Sequence, residues 1–242
     1  METEYAGLLE AVRASAERLG ASVGTLTDRE AREPSPLPGW SRGHVLTHLA
    51  RSADAYRWML AVARTGTPPG PRADSAELER RLREGAGRGA GALVTDLRGS
   101  LDGLLADAAA LPAERRAVLV AALAGWRHPA WYLLWRAWRE LEVHHVDLNL
   151  GYSARSWPEA FVRRALEESV AALAARRVAV ARIEAEDLGR TWTLGEQGPV
   201  VRGPGHALLA WFAGRGPAAD LCSDGPPPVL PPWPLPPVPG WG

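Results

Sequence analysis

The 242-residue chain has one cysteine, no lysine and no formal net charge. A single cysteine, Cys222, excludes an intrachain disulfide and a cysteine-rich zinc module, and we expect it to be a small buried side chain. Zero net charge gives no sign of a nucleic-acid or anionic-membrane partner. The absence of lysine, with heavy use of alanine, glycine and proline, is typical of a GC-rich bacterial genome.

Long apolar runs and a recognisable leader are also missing. No stretch reaches the roughly 18 to 20 apolar residues that span a bilayer, and the first residues lack the basic and apolar parts of a signal peptide. What is present, 46% hydrophobic and 23% charged residues, is typical of a globular protein. We expect a cytoplasmic monomer or weak homodimer that acts on small molecules.

Apolar residues at helical spacing predict a mainly α fold. The long predicted helices cover 5–23, 42–62, 89–110 and 129–150. Joined by loops and one short helix at 75–86, they predict an antiparallel four-helix bundle over residues 1–152.

The pattern changes after Tyr152. We predict a helix at 158–180, a β-hairpin over 190–202, a helix at 204–213 and an extended proline-rich tail from Gly225. Residues 153–242 are therefore expected to form a small α+β C-terminal domain.

Four of the six histidines crowd into two segments. His44 and His48 are four residues apart, as are Glu140 and His144, and residues four apart lie on one face of a helix. Two such helices packed together could close around a divalent metal.

Helical phase separates the neighbouring residues of the fourth helix. His145 lies within the apolar stripe centred on Leu141, whereas Glu140 and His144 share its edge with Asp147 beside them. Singly, such residues are more often packed histidines or surface pairs. Together they favour a metal site, because a carboxylate at the edge of a buried stripe requires a partner.

The position along the second helix distinguishes the other two histidines. His48 is one turn further in, so we prefer it as the ligand, and we place His44, near the Ser41 cap, in the pocket or behind the ligands. Two imidazoles and one carboxylate leave a coordination position open, as in a catalytic zinc site. Arg215 ends the last helix, where a cation suits the helix dipole, or else it clamps a substrate carboxylate.

The sequence resembles the mycothiol-dependent maleylpyruvate isomerase family, whose N-terminal domain is a DinB-like metal-binding bundle. PGWSRGHVLTHLA at 38–50 and WRELEVHHVDL at 138–148 look like its two ligand helices. Similarity extends through 85–88 and to LLAWFAGR at 208–215.

The resemblance implies a zinc ion held by His48, Glu140 and His144, with mycothiol, a thiol of actinobacteria, as cosubstrate. The thiolate would add to the cis double bond of maleylpyruvate, the adduct would rotate, and elimination would give fumarylpyruvate. Arg215 then matches a catalytic arginine, while Arg88 and His44 are candidates for substrate binding. The same ligands would also suit a mycothiol S-transferase acting on electrophiles, or a metal-binding bundle without turnover.

Overall fold

The computed structural model describes residues 2–241, which are mainly helical with smaller sheets, as predicted. Residues 2–152 together with Trp241 form one compact unit, and residues 153–240 form another. Across residues 2–241, no helix combines the length and the apolar character needed to cross a membrane.

Four long helices and two short ones build the first unit. In chain order its helices are α1 (Glu2–Val23), α2 (Asp28–Arg32), α3 (Arg42–Thr65), α4 (Ser75–Ala86), α5 (Ala90–Ala109) and α6 (Tyr132–Asp147). Helix α3 packs against α4, α5 and α6, and α1 packs against α5 and α6. Helix α2 lies in a predicted loop and begins with a capping box between Thr27 and Glu30.

The packing follows from the spacing of apolar residues. Helix α1 buries one stripe at intervals of three and four residues, which is the face an amphipathic helix turns to a core. Its buried residues are Tyr5, Leu8, Val12, Ser15, Leu19 and Val23.

Arg42 fixes the start of α3 against the end of α6. Its guanidinium donates from Nε to the Leu148 carbonyl (2.7 Å) and from Nη2 to the Asn149 carbonyl (3.2 Å). Carbonyls at a helix C-terminus lack partners within the helix and attract cations. The first turns of α3 are thereby held beside the last turns of α6, where His48 can face His144.

Two glycines allow α3 and α4 to approach closely. A Cβ on Gly43 would lie 2.4 Å from the Ala86 carbonyl oxygen, and one on Gly85 would lie 2.4 Å from Cγ2 of Thr47. Both distances are too short for non-bonded atoms, so this contact requires glycine on each helix.

The predicted start of the fourth helix at Pro129 is wrong. Pro129 ends a short antiparallel hairpin of β1 (Leu119–Ala121) and β2 (Arg127–Pro129). The chain beyond it still pairs with the preceding segment, since the Ala130 N–H donates to the Val118 carbonyl. Helix α6 therefore begins only at Tyr132.

The second unit combines two helices with a four-stranded sheet. Its elements are α7 (Glu159–Ala175), β3 (Arg182–Ala185), β4 (Arg190–Thr193), β5 (Val200–Gly203), α8 (Gly205–Phe212) and β6 (Cys222–Ser223). The strand order is β4-β3-β5-β6, with β3 antiparallel to β4 and parallel to β5.

Two predictions for this unit are wrong. Strands β4 and β5 do not form a hairpin, because β3 lies between them and buries Ile183 and Ala185 completely. Cys222 is exposed rather than buried, since it lies on β6 at the edge of the sheet.

Candidate metal centre

Three predicted ligands converge between α3 and α6. His48 Nε2 lies 3.0 Å from Glu140 Oε2, and His144 Nε2 lies 3.4 Å from the same oxygen. One ligand atom from each residue lies within 4.8 Å of the other two. Two imidazole nitrogens and a carboxylate oxygen are a donor set that suits zinc, with a position left for a further ligand. The three residues could hold a metal ion, and their role as ligands stays a prediction.

Asp147 holds the ring of His144. The carboxylate of Asp147, with its side chain 1% exposed, lies 2.8 Å from His144 Nδ1. Because a carboxylate accepts, Nδ1 carries the proton, and Nε2 points toward Glu140. Metal-binding histidines commonly donate their other nitrogen to a carboxylate in this way. Burial alone lowers the pKa of His144, but hydrogen bonds to Asp147 and Glu140 outweigh it and raise the pKa to about 9.

Glu140 is held ionised. Burial raises the pKa of this carboxyl, but hydrogen bonds from His144 and His48 outweigh burial and keep the pKa well below its usual range. Tyr56, two turns beyond His48 on α3, lies close to Glu140. Burial, and then the charge of Glu140, raise the pKa of Tyr56, so its hydroxyl stays protonated and is available as a donor. Tyr56 was not predicted from the sequence, although its spacing of eight residues from His48 places both on one face of the helix.

His44 lies one turn before His48 and caps the helix. Its Nδ1 accepts the Ser41 backbone N–H at 3.1 Å, which completes a capping box at the start of α3. The Trp40 ring lies 5.4 Å from the His48 ring and 6.1 Å from the His44 ring. Trp40 therefore flanks the site, and the proposed substrate-binding role of His44 stays a prediction.

The opposite face of α6 carries a separate polar cluster. Glu142 is 1% exposed and accepts hydrogen bonds from Arg18 (2.5 Å) and Trp138 (3.2 Å), as well as from Tyr152 and a serine of α1. His145 is buried, as its helical phase predicted, and stacks on Tyr152 with 3.8 Å between ring centroids. These residues join α6 to α1 and take no part in the metal site.

A cleft runs from the candidate site along α3 and α4. One cavity of about 200 Å³ is lined by His48, Arg51 and Leu78. A second, of about 150 Å³, shares Arg51 and Leu78 and extends to Trp58 and Arg72. The histidine end of the metal site is thus open to small molecules.

Comparison with known proteins identifies the family. The sequence profile of the mycothiol maleylpyruvate isomerase N-terminal domain matches residues 12–149, more than half of the chain. The chain belongs to this family. The family is named for an enzyme. This agrees with a donor set that leaves a coordination position free for a further ligand.

Two solved structures of the mycothiol-dependent maleylpyruvate isomerase share the fold of this family member. One has a TM-score of 0.85 at 23% identity, and a variant with one histidine replaced by alanine has 0.86 at 22%. Each comparison covers 95% of this chain and 97% of the other. No curated protein sequence gives a significant match.

The two arginines predicted for this isomerase-family site have other contacts. Arg88 pairs with Asp96 at 2.5 Å, and Asp96 also binds Arg51 at 2.6 Å. Arg215 belongs to the second unit and donates to the Ala213 carbonyl at the end of α8 (2.7 Å). The substrate role of Arg88 and the catalytic role of Arg215 stay predictions.

Proposed function

We propose that the chain catalyses the mycothiol-dependent isomerisation of maleylpyruvate, or a related cis-enoyl diacid, to the fumaryl isomer. The observation that carries this proposal is the convergence of His48, Glu140 and His144 at the end of an open cleft. Membership of a family named for a mycothiol maleylpyruvate isomerase supports the choice of reaction and thiol.

The residues at the site fit a zinc ion. His48, Glu140 and His144 would hold it, and a bound zinc ion would favour the thiolate form of mycothiol. Asp147 would keep His144 in the tautomer that presents Nε2, and Tyr56 would orient the Glu140 carboxylate. Trp40 would limit access of water from one side of His48.

The thiol supplies the covalent step. Its sulfur adds to the cis double bond with uptake of a proton at carbon, rotation follows about the resulting single bond, and loss of that proton with the sulfur restores a trans double bond. The thiol is regenerated, so atoms and electrons balance without an oxidant. The protein's part is to bind both molecules and to keep the ligand side chains ionised and oriented.

The test combines metal analysis with product analysis. Purified protein, His48→Ala and Glu140→Ala are compared for zinc content, with Glu10→Ala, which removes an exposed carboxylate of α1, as the control. Each is then incubated with maleylpyruvate, with and without mycothiol. We expect bound zinc and formation of fumarylpyruvate only with mycothiol, and we expect both to be lost in the two ligand variants.

The alternatives predict different products. A stable thioether with an electrophile such as a haloarene, without isomerisation, would identify an S-transferase. Zinc binding with neither product would identify a non-catalytic bundle. Full zinc content in both ligand variants would show that the ion binds elsewhere.

A further inference from the structure

Arg136 is a partly buried cation whose direct contacts are two aromatic rings and a histidine. Its guanidinium carbon lies 5.0 Å from the centroid of the Tyr56 ring and 5.1 Å from that of Trp126. Its Nη1 lies 3.1 Å from Nε2 of His128. Since His128 Nδ1 lies 2.9 Å from the Pro129 carbonyl and must donate to it, Nε2 is the acceptor for Arg136.

His128 does not neutralise this charge. It is fully buried, and burial, with a smaller effect of nearby arginines, lowers its pKa to about 4. The ring is therefore neutral near pH 7. Among residues 2–241, the side chains in contact with Arg136 hold its guanidinium in place without an ion pair.

Arg72 is a second cation of the same kind. Its Nη1 donates to the Ala121 carbonyl at 2.8 Å, and its guanidinium lies 5.3 Å from the Trp58 ring centroid. Burial and the charge of Arg136 lower the pKa of Arg72. The two cations contact the same hairpin, because Arg72 binds the carbonyl of Ala121, which pairs with Arg127, and Arg136 contacts the next residue, His128. Within the described chain, Arg72 also forms no ion pair.

This arrangement contrasts with the other arginines around the cleft. Arg51 pairs with Asp96, and Arg81 pairs with Glu77 at 2.6 Å. Keeping two like charges together in a partly buried place is unfavourable unless an anion binds there. The geometry therefore indicates an anion site.

The anion site lies beside the candidate metal centre. Arg136 precedes Glu140 by four residues on α6, about 6 Å along the helix axis and on the same face. Tyr56 lies next to both, because its ring packs under Arg136 and the charge of Glu140 is close enough to raise its pKa. Arg72 lines the far part of the cleft that begins at His48.

We propose that Arg136 and Arg72 bind a carboxylate of the substrate and hold its double bond over the metal centre. The proposal rests on the proposed function for the identity of the substrate, a dianion. A planar guanidinium held by aromatic rings is suited to bidentate binding of a carboxylate. The pair thus supplies the cationic contacts that a dicarboxylate requires, within the first unit.

The test measures binding separately from turnover. Zinc-loaded protein is titrated calorimetrically with maleate, a cis dicarboxylate that needs no thiol. Arg136→Gln and Arg72→Gln each remove one charge. Arg136→Lys keeps the charge but removes the paired N–H donors of the guanidinium. Arg57→Gln is the matched control, because Arg57 neighbours Tyr56 on α3 but pairs with Asp107 (2.9 Å).

We expect Arg136→Gln to weaken maleate binding about ten- to a hundredfold, the usual effect of losing a charged hydrogen-bonded partner. Arg136→Lys should fall between this variant and wild type, and Arg57→Gln should bind normally. In turnover, KM for maleylpyruvate should rise by a similar factor while KM for mycothiol and zinc content stay unchanged. These two unchanged values also show that the variant is folded.

Two results would overturn the proposal. One is an equal affinity for maleate in wild type, Arg136→Gln and Arg72→Gln. This result would mean that maleate binds to the metal alone. The other is no maleate binding by the zinc-loaded wild type. If maleate binds through Arg136 but no maleylpyruvate is isomerised, the anion site stands and the proposed reaction is wrong.

Discussion

Asp147 should control how tightly the site holds zinc. Asp147→Asn keeps the shape of the side chain and an oxygen that can accept the His144 Nδ1–H, but it removes the charge. Outer carboxylates of this kind contribute about ten- to a hundredfold in metal affinity. We therefore expect the zinc affinity of the variant to fall by about 1.4 to 2.7 kcal/mol when His144 is unprotonated.

The pH dependence makes this prediction specific. The pKa of His144 is raised to about 9 in the metal-free protein, so a proton must leave before zinc binds. Wild-type zinc affinity should therefore rise about tenfold per pH unit up to about pH 9 and then level off. Loss of the Asp147 charge lowers the pKa of His144, so the variant should level off at lower pH.

The assay is competition with a zinc-buffering chelator between about pH 7 and pH 10. The deficit of Asp147→Asn should be largest at the alkaline end and should shrink toward pH 7. Asp107→Asn is the matched control, because it makes the same chemical change in a residue that pairs with Arg57 on α3. Equal affinity and equal pH dependence for Asp147→Asn and wild type would refute the coupling between Asp147 and His144.

Three further outcomes are expected. Tyr56→Phe removes the hydroxyl proposed to orient Glu140 and should weaken zinc binding about tenfold in the same titration; an unchanged affinity would contradict that proposal. Gly43→Ala should destabilise the protein by about 1 to 3 kcal/mol in urea unfolding because its Cβ meets a backbone carbonyl. Gly99→Ala, also within a helix but with open space around it, should instead stabilise by about 0.5 to 1 kcal/mol, and similar results for both glycines would argue against the close approach. The pKa of His128, about 4, lies below its unfolded value, so the unfolded chain binds more protons and stability should fall by about 2 kcal/mol between pH 7 and pH 5. His128→Gln should abolish that part of the loss, as measured by urea unfolding at both pH values.

Local spacing was sufficient to select the candidate ligands. Residues four apart share a helix face, and the phase of Glu140 and His144 relative to the apolar stripe set them apart from His145. The mainly α fold followed from the same periodicity. These properties depend on each helix by itself.

Contacts between helices were harder to predict. Tyr56 and Arg136 belong to the neighbourhood of Glu140 only because α3 and α6 meet in one register, which Arg42 fixes through carbonyls more than 100 positions away. A sequence pattern along one helix contains no information about that register. The roles of Tyr56 and Arg136 therefore required the structure.

The strands were missed for a related reason. Strand β3 has only four residues. It lies inside the sheet because it pairs in parallel with β5, although β4 comes between these two strands in the sequence. Local turn signals favoured a hairpin between β4 and β5, because they report only on neighbouring segments. At Pro129, likewise, hairpin pairing outweighed the preference of proline for a helix start.

The distance in sequence between the candidate ligands gives the site a second consequence. His48 and Glu140 are 92 positions apart, in a chain whose single cysteine cannot form an internal cross-link. An ion shared by them would close a loop of that length, and chain-entropy arguments for such loops give about 4 to 5 kcal/mol. The ion would therefore act as a reversible cross-link between the two helices. The free energy of unfolding would increase with the free zinc concentration.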